Sequence, residues 1–247
     1  VGANACHSRW GTAEPAATRP RRATACHSTR ANDRRWRGGN LVRRSPQCPH
    51  MNGAPLTIEA DYTWIGGQLE PGVRLEVDRD SGTIVAITRG GDPVDERLAG
   101  VLLPGFVNAH SHAFQRGLRG KGETFPEGPG SFWSWREAMY DLIETLDAGV
   151  LRTIVMRAYR EMLAAGITTV GEFHYLHHPA AGGDFDFDEI VIECAEEVGI
   201  RLVLLQTYYR TGAIDQPLAG AQRSFDGRSL ETFWTQMDRL AGRAAAM

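Results

Sequence analysis

From residue 103 onward, apolar segments of strand length alternate with helical stretches, and that alternation confines the chain to a parallel α/β sheet. The first such segment, beginning Leu103-Pro104-Gly105-Phe106, ends in His110-Ser111-His112. A helical stretch opens at Ser131-Phe132-Trp133-Ser134-Trp135-Arg136-Glu137. Residues 148–165 read as an amphipathic helix with Val150, Ile154, Ala158, Met162 and Ala165 on one face, and Gly166 is its natural left-handed terminator. A second buried strand, Ile167–Phe173, runs into His174-Tyr175-Leu176-His177-His178. The pattern then predicts a helix over 188–198 stopped by Gly199, a strand over Arg201–Leu205 and a helix over 229–245. A closed (β/α)8 barrel needs eight strand–helix units in about 250 residues. Residues 103–247 supply three, so the expected architecture is an incomplete TIM barrel, the first part of a larger enzyme.

Residues 51–102 have a different texture. Tyr62–Ile65 precedes Gly66-Gly67, Val73–Val77 alternates apolar and polar residues, Asp80-Ser81-Gly82 reads as a turn, and Ile84–Ile87 as another strand. This segment is expected to be a small β-unit before the barrel. Residues 1–50 hold ten arginines, no lysine and two acidic residues, a net charge of +8 against −11 for the remainder. They show no strand or helix period and little aliphatic content, so they are expected to be a disordered basic extension. Met51 would then be the true initiator and 1–50 translated upstream DNA. The spacings of Cys6, His7, Cys26, His27, Cys48 and His50 match no zinc-finger pattern. One lysine, Lys121, stands against 26 arginines, which marks coding bias rather than nucleic-acid binding.

The 247 residues, 42% of them hydrophobic, suffice for a sizeable core. No stretch approaches 18 uninterrupted apolar residues, the start lacks the apolar core of a secretory signal, and four cysteines build no disulfide framework. The expectation is a cytoplasmic protein with a small-molecule substrate, and neither membrane nor nucleic acid as partner.

The chemistry concentrates at the strand ends, where the side chains of a barrel converge. His110 and His112 are one residue apart, and strand side chains alternate faces, so both imidazoles point one way and can share a divalent metal. Gln115, in the loop beyond, can hydrogen-bond a substrate. Arg136, beside Trp133 and Trp135, has the geometry to hold a carboxylate bidentately. Tyr175 joins them from the second strand end. His174, His177 and His178 do not share one face, so a loop or supporting role is expected for each.

His110-Ser111-His112-Ala113-Phe114-Gln115-Arg116, Ser131–Tyr140 and Glu172-Phe173-His174-Tyr175-Leu176-His177-His178 together resemble the formiminoglutamate deiminases, zinc-dependent members of the amidohydrolase superfamily. The similarity covers roughly residues 56–240, extending weakly through Gln216-Pro217 and Gln222–Phe225. It implies that residues 51–102 are the N-terminal part of a β-sandwich, that His110 and His112 are zinc ligands and that Gln115, Arg136 and Tyr175 lie along the substrate, with Arg136 favouring a glutamate carboxylate. It further implies hydrolysis of N-formimino-L-glutamate to N-formyl-L-glutamate and ammonia in histidine degradation, and a homodimer for the full-length enzyme. The family's remaining ligands and its proton-shuttling carboxylate have no counterpart in these residues, so the isolated chain is expected to be inactive or nearly so. Rival readings are a guanine- or triazine-type deaminase of the same superfamily, and a non-catalytic half-barrel or split-enzyme subunit.

Overall fold

The computed structural model describes residues 53–91, 93–121 and 130–246; the expectations for residues 1–50, and for most of the loop before Gly130, lie outside them. Strand β1 (Leu56–Ile65) turns at Gly66-Gly67, both at positive φ, into the short antiparallel β2 (Gln68–Glu70). Strand β3 (Val73–Val77) continues along the same edge of β1, and β4 (Ile84–Arg89) pairs with β3. The opposite edge of β1 is taken by β5 (Glu96–Leu102), which runs parallel to it. Sequence alternation finds β3 and β4 but understates β1 and misses β5, which carries Gly100 at φ 95°. Few side chains of this sheet are buried: Ala60, Thr63 and Val73 are, whereas Ile84, Val85, Ile87 and Val101 are exposed.

The second sheet is parallel and ordered as in the sequence: β6 (Phe106–Ser111), β7 (Ile167–His174) and β8 (Arg201–Gln206). Helices α1 (Phe132–Glu144), α2 (Ala148–Ala164), α3 (Asp186–Val198) and α4 (Leu230–Ala246) alternate with these strands, together with 3-10 turns at Ala113–Leu118 and Gly220–Phe225. The mixed α/β class and the helix–strand order follow the sequence reading. Each helix start has a local cause. Ser131 accepts from Ser134 N at 3.3 Å to cap α1, and Asp147 accepts from Val150 N at 2.8 Å to cap α2. Helix α3 begins instead at Phe185, held at φ 59° while its N–H donates to His178 Nδ1 at 3.0 Å. Gly166 (φ 82°) and Gly199 (φ 81°) follow the ends of α2 and α3, a backbone region that costs other residues about 1–2 kcal/mol.

The core lies between the parallel sheet and its helices. Leu151, Val155 and Tyr159 of α2 meet Val170 of β7 and Phe187, Val191 and Cys194 of α3, with Phe114 and Phe225 from the 3-10 turns. Along α2 the buried stripe is Leu151, Val155, Met156, Ala158 and Tyr159; of the face read from the sequence, Ala158 is in the core and Ile154 and Met162 pack against it, while Val150 and Ala165 are exposed, which corrects its two ends. Steps of four residues advance 40° round a helix at each repeat, so a stripe drawn that way walks off the buried face. Cys194 is fully buried, its thiol facing Arg152 O at 3.7 Å, and burial pushes it up to about 11. Arg152 bridges α2 to Glu193 (3.1 Å) and Glu197 (2.5 Å) of α3.

Candidate functional site

The end of β6 is not the regular strand that simple alternation assumes. Asn108 pairs with Val170 and Ser111 with Glu172, so three steps on β6 are matched by two on β7. The extra residue makes a bulge at Ala109–His110, and Asn108 Oδ1 accepts the backbone N–H of His110 at 3.3 Å. Opposite stands Gly171, where a Cβ would come within 2.7 Å of the Ala109 carbonyl oxygen. Glycine is therefore what lets the bulged backbone approach β7.

Strand β6 ends at Ser111, and His112 sits just beyond it as the N-cap of the Ala113–Leu118 turn. The two imidazoles still converge, with Nε2 atoms 3.1 Å apart and ring planes nearly perpendicular. His112 Nδ1 donates to the Phe173 carbonyl at 2.8 Å, which leaves its Nε2 lone pair facing His110. Burial holds His112 below the usual imidazole range despite that bond, so the ring is neutral near pH 7. A tetrahedral site with 2.0–2.1 Å bonds places ligand atoms about 3.3 Å apart, so the pair fits two corners of a zinc-like centre. Beneath it the Ala113 N–H donates to the buried Glu172 Oε1 at 2.6 Å, tying the residue after His112 to β7. Burial raises the Glu172 carboxyl, opposed by that same bond.

His112 borders a cavity of about 330 Å³ also lined by Gln115, Arg136, Tyr140, Tyr175 and Gln222. That volume suits a small molecule. Four of the five residues singled out in the sequence thus line one space, and His110 reaches it through His112. Gln115 Nε2 donates to the Tyr175 hydroxyl at 2.9 Å, and the Tyr175 ring packs 5.1 Å from that of His112. Burial lifts the Tyr175 phenol above its ordinary range, so it remains protonated and able to donate. Arg136 Nε donates to the Tyr140 hydroxyl at 2.6 Å, and its guanidinium lies 5.7 Å from the Trp133 ring centre and 5.1 Å from that of Tyr140. Among the described residues the terminal nitrogens of Arg136 have no partner. A cleft of about 550 Å³ on the outer helices holds no histidine and is bordered by Arg152 and Arg160, both engaged with Glu197.

The other three histidines among the described residues point elsewhere. His174 Nε2 and His177 Nδ1 both lie 2.9 Å from Asp188 Oδ1, while Gln236 Nε2 donates to Asp188 Oδ2 at 3.0 Å. His177 Nε2 donates to Thr207 O at 2.9 Å, so both nitrogens of this ring are engaged. The ligand-type atoms of His174, His177 and Asp188 lie within 4.8 Å of one another, yet the carboxylate already holds three donors and all three residues are buried. Burial alone would raise Asp188, but the two imidazoles outweigh it and hold the carboxyl well below the usual range. His178 is likewise spent, donating from Nε2 to Asp226 O at 2.8 Å and accepting from Phe185 N. Asp188 and Glu172 escaped the sequence reading because an acidic residue in a helix or strand carries no sign of burial. Three histidines in five residues asked for a buried counter-charge, and that was the available signal.

The amidohydrolase family model matches residues 101–245. Formimidoylglutamate deiminase of Pseudomonas aeruginosa is 39% identical over 175 residues, which cover 68% of this chain and 38% of that protein. Isoxanthopterin deaminase from an unknown prokaryotic organism is 28% identical over 176 residues, 70% of this chain and 35% of that protein. Among solved structures, an amidohydrolase from Brucella melitensis superposes with a TM-score of 0.63 at 32% identity, covering 75% of this chain and 44% of that one. The match thus spans less than half the length of each of these relatives. No helix among the described residues is long and apolar enough to cross a membrane. With the sheet order, the paired histidines and these likenesses in agreement, the chain belongs to the amidohydrolase family.

Proposed function

We propose that this chain is the N-terminal part of a zinc-dependent deiminase that hydrolyses N-formimino-L-glutamate to N-formyl-L-glutamate and ammonia. The observation that carries the reading is that His112, half of an imidazole pair with its lone pair oriented, and Arg136, whose terminal nitrogens have no partner among the described residues, border the same cavity. The likeness to formimidoylglutamate deiminase supports it. In this reading residues 51–102 contribute to a β-sandwich and 103–247 open a (β/α)8 barrel whose later strands complete the site. The enzyme would be a cytoplasmic homodimer serving histidine breakdown.

His110 and His112 would hold the zinc, which when bound supplies a hydroxide near neutral pH. Arg136 takes a carboxylate of the substrate in a bidentate grip and fixes the distance from the charged end to the reacting carbon. Gln115 and Tyr175, already bonded to one another, present an amide and a phenol to the formimino group. Water adds to the formimino carbon, its C–N bond to the terminal nitrogen breaks, and ammonia leaves. No described residue at the cavity is placed here as the proton shuttle, so the 247-residue chain alone is expected to bind without appreciable turnover.

The test is a titration of the zinc-loaded chain with N-formimino-L-glutamate, N-formyl-L-glutamate and guanine, read by the change in tryptophan fluorescence, to which Trp133 and Trp135 contribute from beside Arg136. Saturable binding of the two glutamate derivatives and none of guanine is expected. Preference for guanine would overturn the reading in favour of a ring deaminase, the class of the 28% identical relative. Zinc-dependent ammonia release from this chain alone would overturn its inactivity.

A further inference from the structure

The charged end of the cavity is built from two elements. Arg136 and Tyr140 stand one turn apart on α1, and the bond from Arg136 Nε to the Tyr140 hydroxyl is 2.6 Å. From across the cavity, Gln222 in the Gly220–Phe225 turn donates its Nε2 to the same hydroxyl at 3.1 Å. Gln222 is itself pinned, with Oε1 accepting from Ala219 N at 3.2 Å and Nε2 lying 3.4 Å from Gly212 O. A phenolic oxygen that accepts two N–H donors keeps its own proton to give. Among the described residues no acceptor takes it. Nor does any acceptor take the terminal nitrogens of Arg136.

We infer that Tyr140 is the positioning and specificity residue of this site: it locks Arg136 through Nε, turns both terminal nitrogens to the ligand and adds its own O–H beside them. The class of ligand selected is a molecule ending in a carboxylate. This rests on the proposal that Arg136 meets a substrate carboxylate and deepens it. Three donors converging in a half-buried space suit an anion, whereas a neutral ring would leave them desolvated and unmatched. Gln222 has a separate consequence. It lies beyond β8, so it makes the grip on α1 depend on the third strand–helix unit being folded.

The experiment measures binding of N-formyl-L-glutamate and its uncharged diamide to the full zinc-loaded chain by tryptophan fluorescence. The unsubstituted chain is expected to prefer the dicarboxylate by more than about tenfold, the scale of one charge-assisted hydrogen bond. Tyr140→Phe keeps the ring against Arg136 and is expected to cut that preference to about threefold or less, with zinc content unchanged and diamide binding unaltered. A merely structural role would weaken both ligands alike. If Tyr140→Phe does not fold, Gln222→Ala supplies the answer, since it is expected to reduce the preference without touching α1. Full preference in Tyr140→Phe, or in Gln222→Ala where that variant decides, together with its loss in Arg136→Gln, overturns the inference and leaves the carboxylate reading standing. Equal binding of dicarboxylate and diamide by the unsubstituted chain overturns both.

Discussion

His112 has one nitrogen committed to the Phe173 carbonyl and one directed at His110. Replacing it removes both a ligand atom and the anchor that aims it. His112→Ala is expected to weaken zinc binding at least about tenfold, read by competition with a metal-chelating dye, with little change in melting temperature. Asp188 is the contrary case. Its carboxylate is buried beneath His174, His177 and Gln236, and Asp188→Asn should cost about 3–5 kcal/mol by stranding the imidazoles. Its depressed folded pKa fixes the sign of a pH effect. The unfolded chain takes up a proton near pH 3.9, so the stabilisation is complete above that value and drains as pH falls toward the folded pKa. Between pH 4 and 2 the unsubstituted chain is expected to lose more stability in denaturant melts than Asp188→Asn does.

Among the secondary-structure elements, the strand β6 shows both what the sequence displays and what it hides. Its apolar run and terminal histidines are plain in the letters, and so are Arg136 and Tyr175, because each lies in a short motif beside a strand or helix end. The bulge is not plain, since it arises from the register of β6 against β7, and register belongs to a pair of strands rather than to either one. Asp188 is hidden for the same reason: only the packing of α3 onto the β7 loop brings it to His174 and His177. Gly171→Ala tests the bulge. Its Cβ would meet backbone rather than a movable side chain, so a loss of about 1–3 kcal/mol is expected, accompanied by weaker zinc binding as Ala109 and His110 shift. Gly199→Ala meets open space and carries only the left-handed penalty, about 1–2 kcal/mol, with zinc binding unchanged. Denaturant melts and zinc titrations on the pair separate close approach from backbone conformation.

At the scale of the whole molecule, the parallel sheet is covered by helices on one side only among the described residues. Leu202 and Leu204 of β8 pack against the core, while Val203 and Leu205, together with Phe106 and Val107 of β6, are exposed. The outer edges of β6 and β8 have no strand partner among the described residues. Apolar side chains next to free strand edges favour association. Light scattering is expected to show the mean mass of the chain rising with concentration, and Val107→Thr with Val203→Thr is expected to lower that mass. Deep on the other side of the same sheet lies the thiol of Cys194, enclosed between α2 and α3 and with its proton held up to about pH 11. A thiol reagent needs the thiolate and a path to it, and the closed molecule supplies neither. The rate at which Cys194 is alkylated is thus a clock that ticks only when α3 lifts from α2, and it measures how long the half-covered sheet keeps its helices seated.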